Sequence, residues 1–295
     1  MEEFSQEKEG RAGTVGETGQ GSPETGYFSN SGITCFQTCN KKYYWSYIAL
    51  LSPKKKTSPL SFGSAIHTGI KNLYRGKEEE NKELVRQYIP NQGEELRTAA
   101  KLEVVFDTYK REKFPMIWEV LAVEDPIQFD IDGEIMVVVP DLVVKWRDEI
   151  YVIEHKHTTR LTANFFEKFH RDTQIDIEMM GVRSKYGSCA GVYVNGIVIR
   201  KGGPKSKLAE VELIMDKITR KDEELARTHE HLSKTIKRIK EEKEFLENRT
   251  SCFNYNSRCP YLGLCTNTVH PDSDIFEKRE RSLSSIFKQE EDENE

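Results

Sequence analysis

Apolar residues recur at two different spacings along this 295-residue chain, and the change from one to the other divides it. Across residues 62–74, Ile66, Ile70 and Leu73 share one helical face, and 41–51, 92–113 and 164–185 also read as helical. Between these helices the period changes. Residues 120–123, 126–131, 135–139, 142–146 and 150–153 are short apolar or alternating runs broken by Gly and Asp, which predicts strands in antiparallel meanders. Residues 191–199 predict another strand and 208–214 an edge strand. Residues 217–247 predict a long charged helix with a thin apolar stripe. The sum is an α/β fold: a central mixed sheet flanked by helices 62–76, 92–113 and 164–185. The helix 217–247 and a Cys-rich segment at 252–265 would form an accessory lobe (217–268). Residues 1–26, rich in Gly, Glu, Ser and Thr, predict a disordered tail, as does the acidic segment 269–295, leaving 27–268 as the folded domain.

Composition narrows the class. Charged residues make up 32% and apolar ones 37%, enough for a core beneath a well-solvated surface. No apolar run reaches the roughly 20 residues of a membrane-spanning helix. No apolar leader follows Met1, so a cytoplasmic location is expected. The net charge of −5 argues at first against a nucleic-acid partner. Its distribution alters that: residues 1–26 carry −4 and 277–295 carry −3, so the body is near +2. Lys41-Lys42 and Lys54-Lys55-Lys56 can then track phosphates, although lysine runs are more often plain solvated surface.

The strand region holds the chemistry. Pro140-Asp141 is followed thirteen residues after Asp141 by Glu154-His155-Lys156. Strand side chains alternate faces, so Glu154 and Lys156 point one way and the His155 ring the other. A two-residue turn at Arg147-Asp148 would set Asp141 opposite Glu154, and a four-residue loop would set it opposite Lys156; either keeps Asp141 on their face. Two neighbouring carboxylates repel unless a cation lies between them, which suits Mg²⁺ or Mn²⁺. A lysine beside them can orient water or neutralise developing charge. A surface salt-bridge ladder would use the same residues. Upstream, His67 follows the small residues Gly63, Ser64 and Ala65, which let its helix pack closely. It is a candidate third ligand, against the commoner role of a satisfied core or surface histidine.

Six cysteines remain: Cys35, Cys39, Cys189, Cys252, Cys259 and Cys265. Without an export signal, metal or cluster ligation is favoured over disulfides. The C-terminal three need a fourth partner, with Cys39 first, Cys35 second and His270 a zinc-completing alternative. Cys189, in an apolar run, reads as core.

Together these residues resemble the RecB-like, iron–sulfur branch of the PD-(D/E)XK nuclease superfamily, which includes CRISPR-associated RecB-like exonucleases, AddB-type nuclease domains and phage-encoded relatives. The resemblance spans about residues 30–268. It rests on Cys39 with Lys41-Lys42-Tyr43-Tyr44, on Gly63-x3-His67, on Pro140-Asp141 with Glu154-x-Lys156, and on Cys252, Cys259 and Cys265, in that order. It implies a restriction-endonuclease-like core and a [4Fe–4S] cluster on Cys39, Cys252, Cys259 and Cys265. It also implies metal ligation by His67, Asp141, Glu154 and the carbonyl of His155, with Lys156 catalytic. The function implied is a Mg²⁺- or Mn²⁺-dependent DNA nuclease, an exonuclease on single strands or ends, with partners in recombination, repair or spacer acquisition. Where the family carries Q-x3-Y, this chain has Gln174 followed by Glu178, so Gln174 is kept as a site residue and half of that motif is absent. The rival readings are a non-catalytic, cluster-stabilised DNA-binding or scaffold protein and a structural zinc protein. Tyr43, Tyr44 and Trp45 can stack on bases, against a role as core aromatics.

Overall fold

A computed structural model describes residues 23, 25–54, 58–90, 95–113, 118–202, 209–254, 257–279 and 283. In chain order the elements are α1 (Asn30–Thr38), α2 (Asn40–Tyr43) running into a π turn (Tyr44–Ile48), β1 (Leu51–Pro53), α3 (Ser58–Tyr74), α4 (Glu78–Gln87) and α5 (Ala99–Lys113). Then come β2 (Glu119–Val123), β3 (Ile127–Ile131), β4 (Glu134–Val138), β5 (Leu142–Trp146), β6 (Glu149–Thr158) and α6 (Thr173–Tyr186). The chain continues through β7 (Gly191–Ile199), β8 (Val211–Ile218), α7 (Asp222–Glu241), α8 (Leu262–Cys265) and β9 (Phe276–Lys278).

The central sheet has five strands in the order β2-β5-β6-β7-β8. Only β6 and β7 run parallel, joined through α6; the other pairs are antiparallel, so the sheet is mixed as expected. The β5–β6 hairpin turns on Arg147 and Asp148, both in the left-handed region (φ 51° and 65°), and its register pairs Trp146 with Glu149 and Leu142 with Ile153. Two positive φ values at the central positions are what a two-residue hairpin requires to follow the strand twist.

Each face of the sheet buries its own apolar set. Val143, Val152, Val192 and Val194 pack with Ile175, Ile177 and Met179 of α6 and with Leu232 and Ile236 of α7. On the other face, Ile197 and Ile199 pack with Phe62, Ile66 and Ile70 of α3 and with Leu102 and Val105 of α5. Gly69 makes the α3–α5 contact close: a Cβ there would lie 2.1 Å from the Phe106 ring.

Several expectations shift. The strands do not form one meander, because β3 and β4 leave the sheet as a separate hairpin on α6. Ile127, Phe129 and Ile131 face inward from that hairpin, and Gly181 of α6 admits Val138 and Phe129. Alternation marks which face of a strand is buried but not which sheet receives it. Helix 41–51 ends by Ile48, and the chain turns at Leu50 (φ 53°) into β1. Helix 92–113 starts at Ala99, and α6 starts at Thr173, where Asp172 caps it by accepting from the Gln174 N–H at 3.0 Å. The strand expected at 208–214 runs Val211–Ile218, and the helix expected at 217–247 is α7 alone. The stripe of α7 (Leu225, Leu232, Ile236, Ile239) is buried in the main core rather than in a lobe standing off from it. The expected tail boundary at 268 is passed by β9, which pairs with β1 through Leu51 and Lys278. Most of the two tails, together with Lys55 and Lys56, lies outside the described residues. Among the described residues no helix is long and apolar enough to cross a membrane.

Candidate functional site

β5 is short and β6 is long, and that mismatch builds a site. Past Ile153 the β6 strand has lost β5 but continues to pair with β7 through Thr158. Glu154, His155 and Lys156 therefore sit at a fork in the sheet. Asp141, just before β5, is the register partner of Glu154 by continuation of the hairpin and shares its face. Helix α3 reaches this fork from one side and α6 from the other.

From α3, His67 Nδ1 lies 2.9 Å from Asp141 Oδ1. The other oxygen of Asp141 accepts the backbone N–H of His155 at 2.7 Å. Gly63 lets α3 approach, since a Cβ there would lie 2.9 Å from the His157 ring. Glu124, at the end of β2, donates its backbone N–H to the Asp141 carbonyl at 3.0 Å. Its φ of 49° turns the chain there. One ligand atom from each of His67, Glu124 and Asp141 falls within 4.8 Å of the others, a spacing that fits a single divalent cation with mixed nitrogen and oxygen donors. Lys71 stands 3.7 Å from the Glu124 carboxylate.

From α6, Gln174 joins a second group. Lys156 Nζ is 2.6 Å from Glu154 Oε1 and donates to Gln174 Oε1 at 3.0 Å. Gln174 Nε2 donates to Glu154 Oε1 at 2.8 Å and to Glu178 Oε1 at 2.7 Å. Glu154 and Glu178 are both buried, and among the described residues Glu178 Oε2 has no hydrogen-bond partner. The ring of His155 points to the opposite face, as strand alternation predicts. There it lies between the Tyr109 hydroxyl (3.4 Å) and the Asn195 amide (3.1 Å).

The charges respond to this crowding. Burial and then the charge of Asp141 push Glu154 up to about 7. Burial, followed by the charge of Glu154, raises Glu178 well above the usual carboxylate range. Burial and Asp141 likewise raise Glu124. Burial alone would pull His67 down, but the hydrogen bond and charge of Asp141, with Glu154 and Glu124 behind, raise it to about 9. Burial would raise Asp141, yet His67 and the His155 N–H hold it low. Lys156 is raised: burial opposes its charge, and the Glu154 carboxylate outweighs that. The raised carboxyls and the Lys156 ammonium offset the clustered negative charge, as a cation placed there would.

The sequence-predicted residues thus divide. His67 and Asp141 converge with Glu124, which sequence reasoning missed. Glu154, Lys156 and Gln174 converge with Glu178. The two groups adjoin, and Glu154 is not one of the three residues that meet within 4.8 Å. Glu124 carried no motif signal; its only mark is a place at a strand end before Asp125-Pro126.

The cysteines gather elsewhere. Cys39 ends α1, and its Sγ accepts the Asn248 N–H at 3.3 Å. Asn248 also donates to the Thr38 carbonyl, and Lys41 N–H donates to Leu246, so the C-terminal segment is laced to the N-terminal helices. Burial raises Cys252 and Cys265, and both thiols also feel Cys39 and Cys259. Among the described residues no three of these sulfurs lie within 4.8 Å of one another. One tetrahedral zinc with Zn–S bonds of about 2.3 Å would draw them closer. Four thiolates are a donor set that serves either a zinc ion or an iron–sulfur cluster. Cys35 is raised to about 11 by burial first, and Cys189 is buried core. Tyr43 is core as well, stacked on Tyr47, whereas Tyr44 and Trp45 are half-buried with the Lys41 ammonium about 5 Å from each ring.

Comparison with known proteins agrees with this architecture. No curated protein matches the chain. Among solved structures, a protein of Eubacterium rectale described as a candidate exonuclease superposes with a TM-score of 0.54. It is 14% identical, with 89% of this chain and 93% of that one covered, and it supports the fold. The protein SSO0001 superposes at 0.37 with 10% identity over 84% and 90% of the two chains, too low to carry an argument. A family model for the PD-(D/E)XK nuclease superfamily matches residues 27–266, spanning α1, the whole central sheet and the cysteine segment. The chain belongs to the PD-(D/E)XK nuclease superfamily.

Proposed function

We propose that this chain is a divalent-metal-dependent DNA nuclease, acting as an exonuclease on single strands or DNA ends. The observation that carries the reading is the convergence of His67, Glu124 and Asp141 beside the Lys156–Glu154 pair at the sheet fork. His67, Glu124 and Asp141 would hold Mg²⁺ or Mn²⁺. Glu154 would join through Oε2, since Oε1 already carries both the Lys156 and Gln174 bonds, and the His155 carbonyl would complete the set. Bound there, the cation supplies Lewis-acid polarisation of the scissile phosphate. The protein's own part is positional. Asp141 is fixed by two hydrogen bonds, and Lys156 is aimed by Gln174 at the place where negative charge develops. Preference for ends follows the resemblance to RecB-like exonucleases, with which the description of the Eubacterium rectale protein agrees. The cysteine clasp is read as the seat of a structural [4Fe–4S] cluster on Cys39, Cys252, Cys259 and Cys265. Partners in recombination, repair or spacer acquisition and a cytoplasmic location belong to the same reading.

Incubation of purified protein with end-labelled single- and double-stranded DNA, with and without Mg²⁺ or Mn²⁺, tests the proposal. Mononucleotides or short oligomers released from ends are expected; internal fragments would replace the exonuclease reading by an endonuclease one. Absence of any metal-dependent product would sink the nuclease reading.

A further inference from the structure

We propose that Glu178 is a positioning residue for Lys156, acting through the Gln174 amide. The proposal rests on the nuclease reading above.

A primary amide has two N–H donors and one carbonyl acceptor, and all three of its contacts are used here. Both donors of Gln174 go to carboxyl oxygens, Glu154 Oε1 at 2.8 Å and Glu178 Oε1 at 2.7 Å. The carbonyl takes the Lys156 ammonium at 3.0 Å. The reversed amide would set its NH₂ against the Lys156 ammonium and its oxygen against Glu154 Oε1, repulsive at both contacts. Glu178 is one α-helical turn beyond Gln174, and the Asp172 cap fixes that turn, so the two side chains are held in register.

Glu154 alone would not keep this orientation in the working site. A cation draws on the Glu154 carboxylate and weakens it as an acceptor. Glu178 is fully buried, and among the described residues its Oε2 has no hydrogen-bond partner. It remains an acceptor for Gln174 whatever Glu154 binds, and so keeps the Gln174 carbonyl turned to Lys156. The orphan Oε2 has no donor to compensate a buried charge, which favours the neutral acid. A glutamine, which also presents a neutral acceptor, should then replace it.

The test has two arms. The first measures acylation of Lys156 by an amine-reactive ester, resolved by mass spectrometry on the metal-free full chain; it does not depend on nuclease activity. Glu178→Leu is expected to raise the Lys156 rate severalfold, towards the rate in Gln174→Leu, and Glu178→Gln to return it near wild type. The second measures metal-dependent cleavage. Glu178→Leu is expected to lower kcat by about tenfold or more with KM nearly unchanged, Glu178→Gln to recover most of that, and the loss to vanish in a Lys156→Ala background. Should Glu178→Leu not fold by thermal melt, Glu178→Asp, whose shorter arm cannot reach Gln174, takes its place. Unchanged Lys156 reactivity in a folded Glu178→Leu overturns the proposal. So does Glu178→Gln behaving like Glu178→Leu. A wild type with no nuclease activity sinks the functional reading while leaving the acylation arm to judge Glu178.

Discussion

Nδ1 of His67 lies 2.9 Å from Oδ1 of Asp141, so these two groups satisfy each other. A cation that takes Asp141 and the same ring nitrogen must displace that hydrogen bond and, with His67 raised to about 9, a proton as well. Metal binding should therefore tighten as pH rises from 6.5 to 9, by up to about tenfold per pH unit if one proton competes. Calorimetric Mn²⁺ titrations in buffers of different ionisation enthalpy measure both the affinity and the protons released. A pH-independent affinity with no proton release would place the metal elsewhere.

Glu124 is the proposed ligand that the motifs do not mark, and the structure brings it to Asp141. Glu124→Gln keeps its size and its backbone bond to Asp141 while removing the charge. The expected result is a loss of Mn²⁺ affinity of at least about tenfold, the lower end of what a metal-site partner is worth, with the fold intact by circular dichroism. Unaltered affinity would return Glu124 to being a partner of Lys71.

Stability of the metal-free protein should fall as pH rises from about 5 to 9. Glu154 is raised to about 7, so the folded chain holds a proton that the unfolded chain has released above its ordinary carboxylate range; that contribution is lost as pH passes 7. His67, raised to about 9, loses its contribution from neutral pH upward. Two groups act in the opposite sense: Asp141, held low, matters only in acid, and His157, pushed down to about 4 by burial, offsets part of the Glu154 loss below about 6.5, so the net fall is steepest above it. Thermal melts should show Tm dropping by several degrees across this range, since about 1 kcal/mol moves a domain of this size by roughly 2–4 °C. Saturating Mg²⁺ or Mn²⁺ should flatten the profile, and Glu154→Gln should remove the part between about 5 and 7. A metal-free Tm that climbs with pH would contradict these assignments.

The clasp makes a separate prediction. Anaerobically purified protein should carry roughly four irons with matching acid-labile sulfide. Cys259→Ala should lose both and unfold at lower temperature, because the C-terminal segment is tied across to α1 and α2. One zinc per chain and no sulfide would replace the cluster by a closed zinc site.

How much of this was legible in the sequence follows from the physics of each element. The common face of Asp141, Glu154 and Lys156 was readable because strand side chains alternate and an even-numbered turn preserves the face; the turn at Arg147-Asp148 is the two-residue one. His67 was readable because Gly63 marks the close approach of its helix. Glu124 was not, since it is one of 49 acidic residues and reaches Asp141 only through the β2–β5 pairing, which carries a bulge between Val120 and Ala122. The departure of β3–β4 from the sheet was equally hidden, for Ile127, Phe129 and Ile131 would alternate in the same way against any neighbour. Glu178 stood out only as a residue where the related motif has tyrosine; its hydrogen bond to Gln174 shows only in the fold.

The central claim is that the fork at Asp141, Glu154 and Lys156 cleaves phosphodiesters with a bound divalent cation. Cleavage of end-labelled DNA by wild type, Asp141→Ala and Lys156→Ala, each checked for an intact fold, tests it most directly. The account predicts activity in wild type only with Mg²⁺ or Mn²⁺, and a loss of about a hundredfold or more in each variant. Equal cleavage by wild type and Asp141→Ala, or cleavage that survives exhaustive chelation, would contradict it.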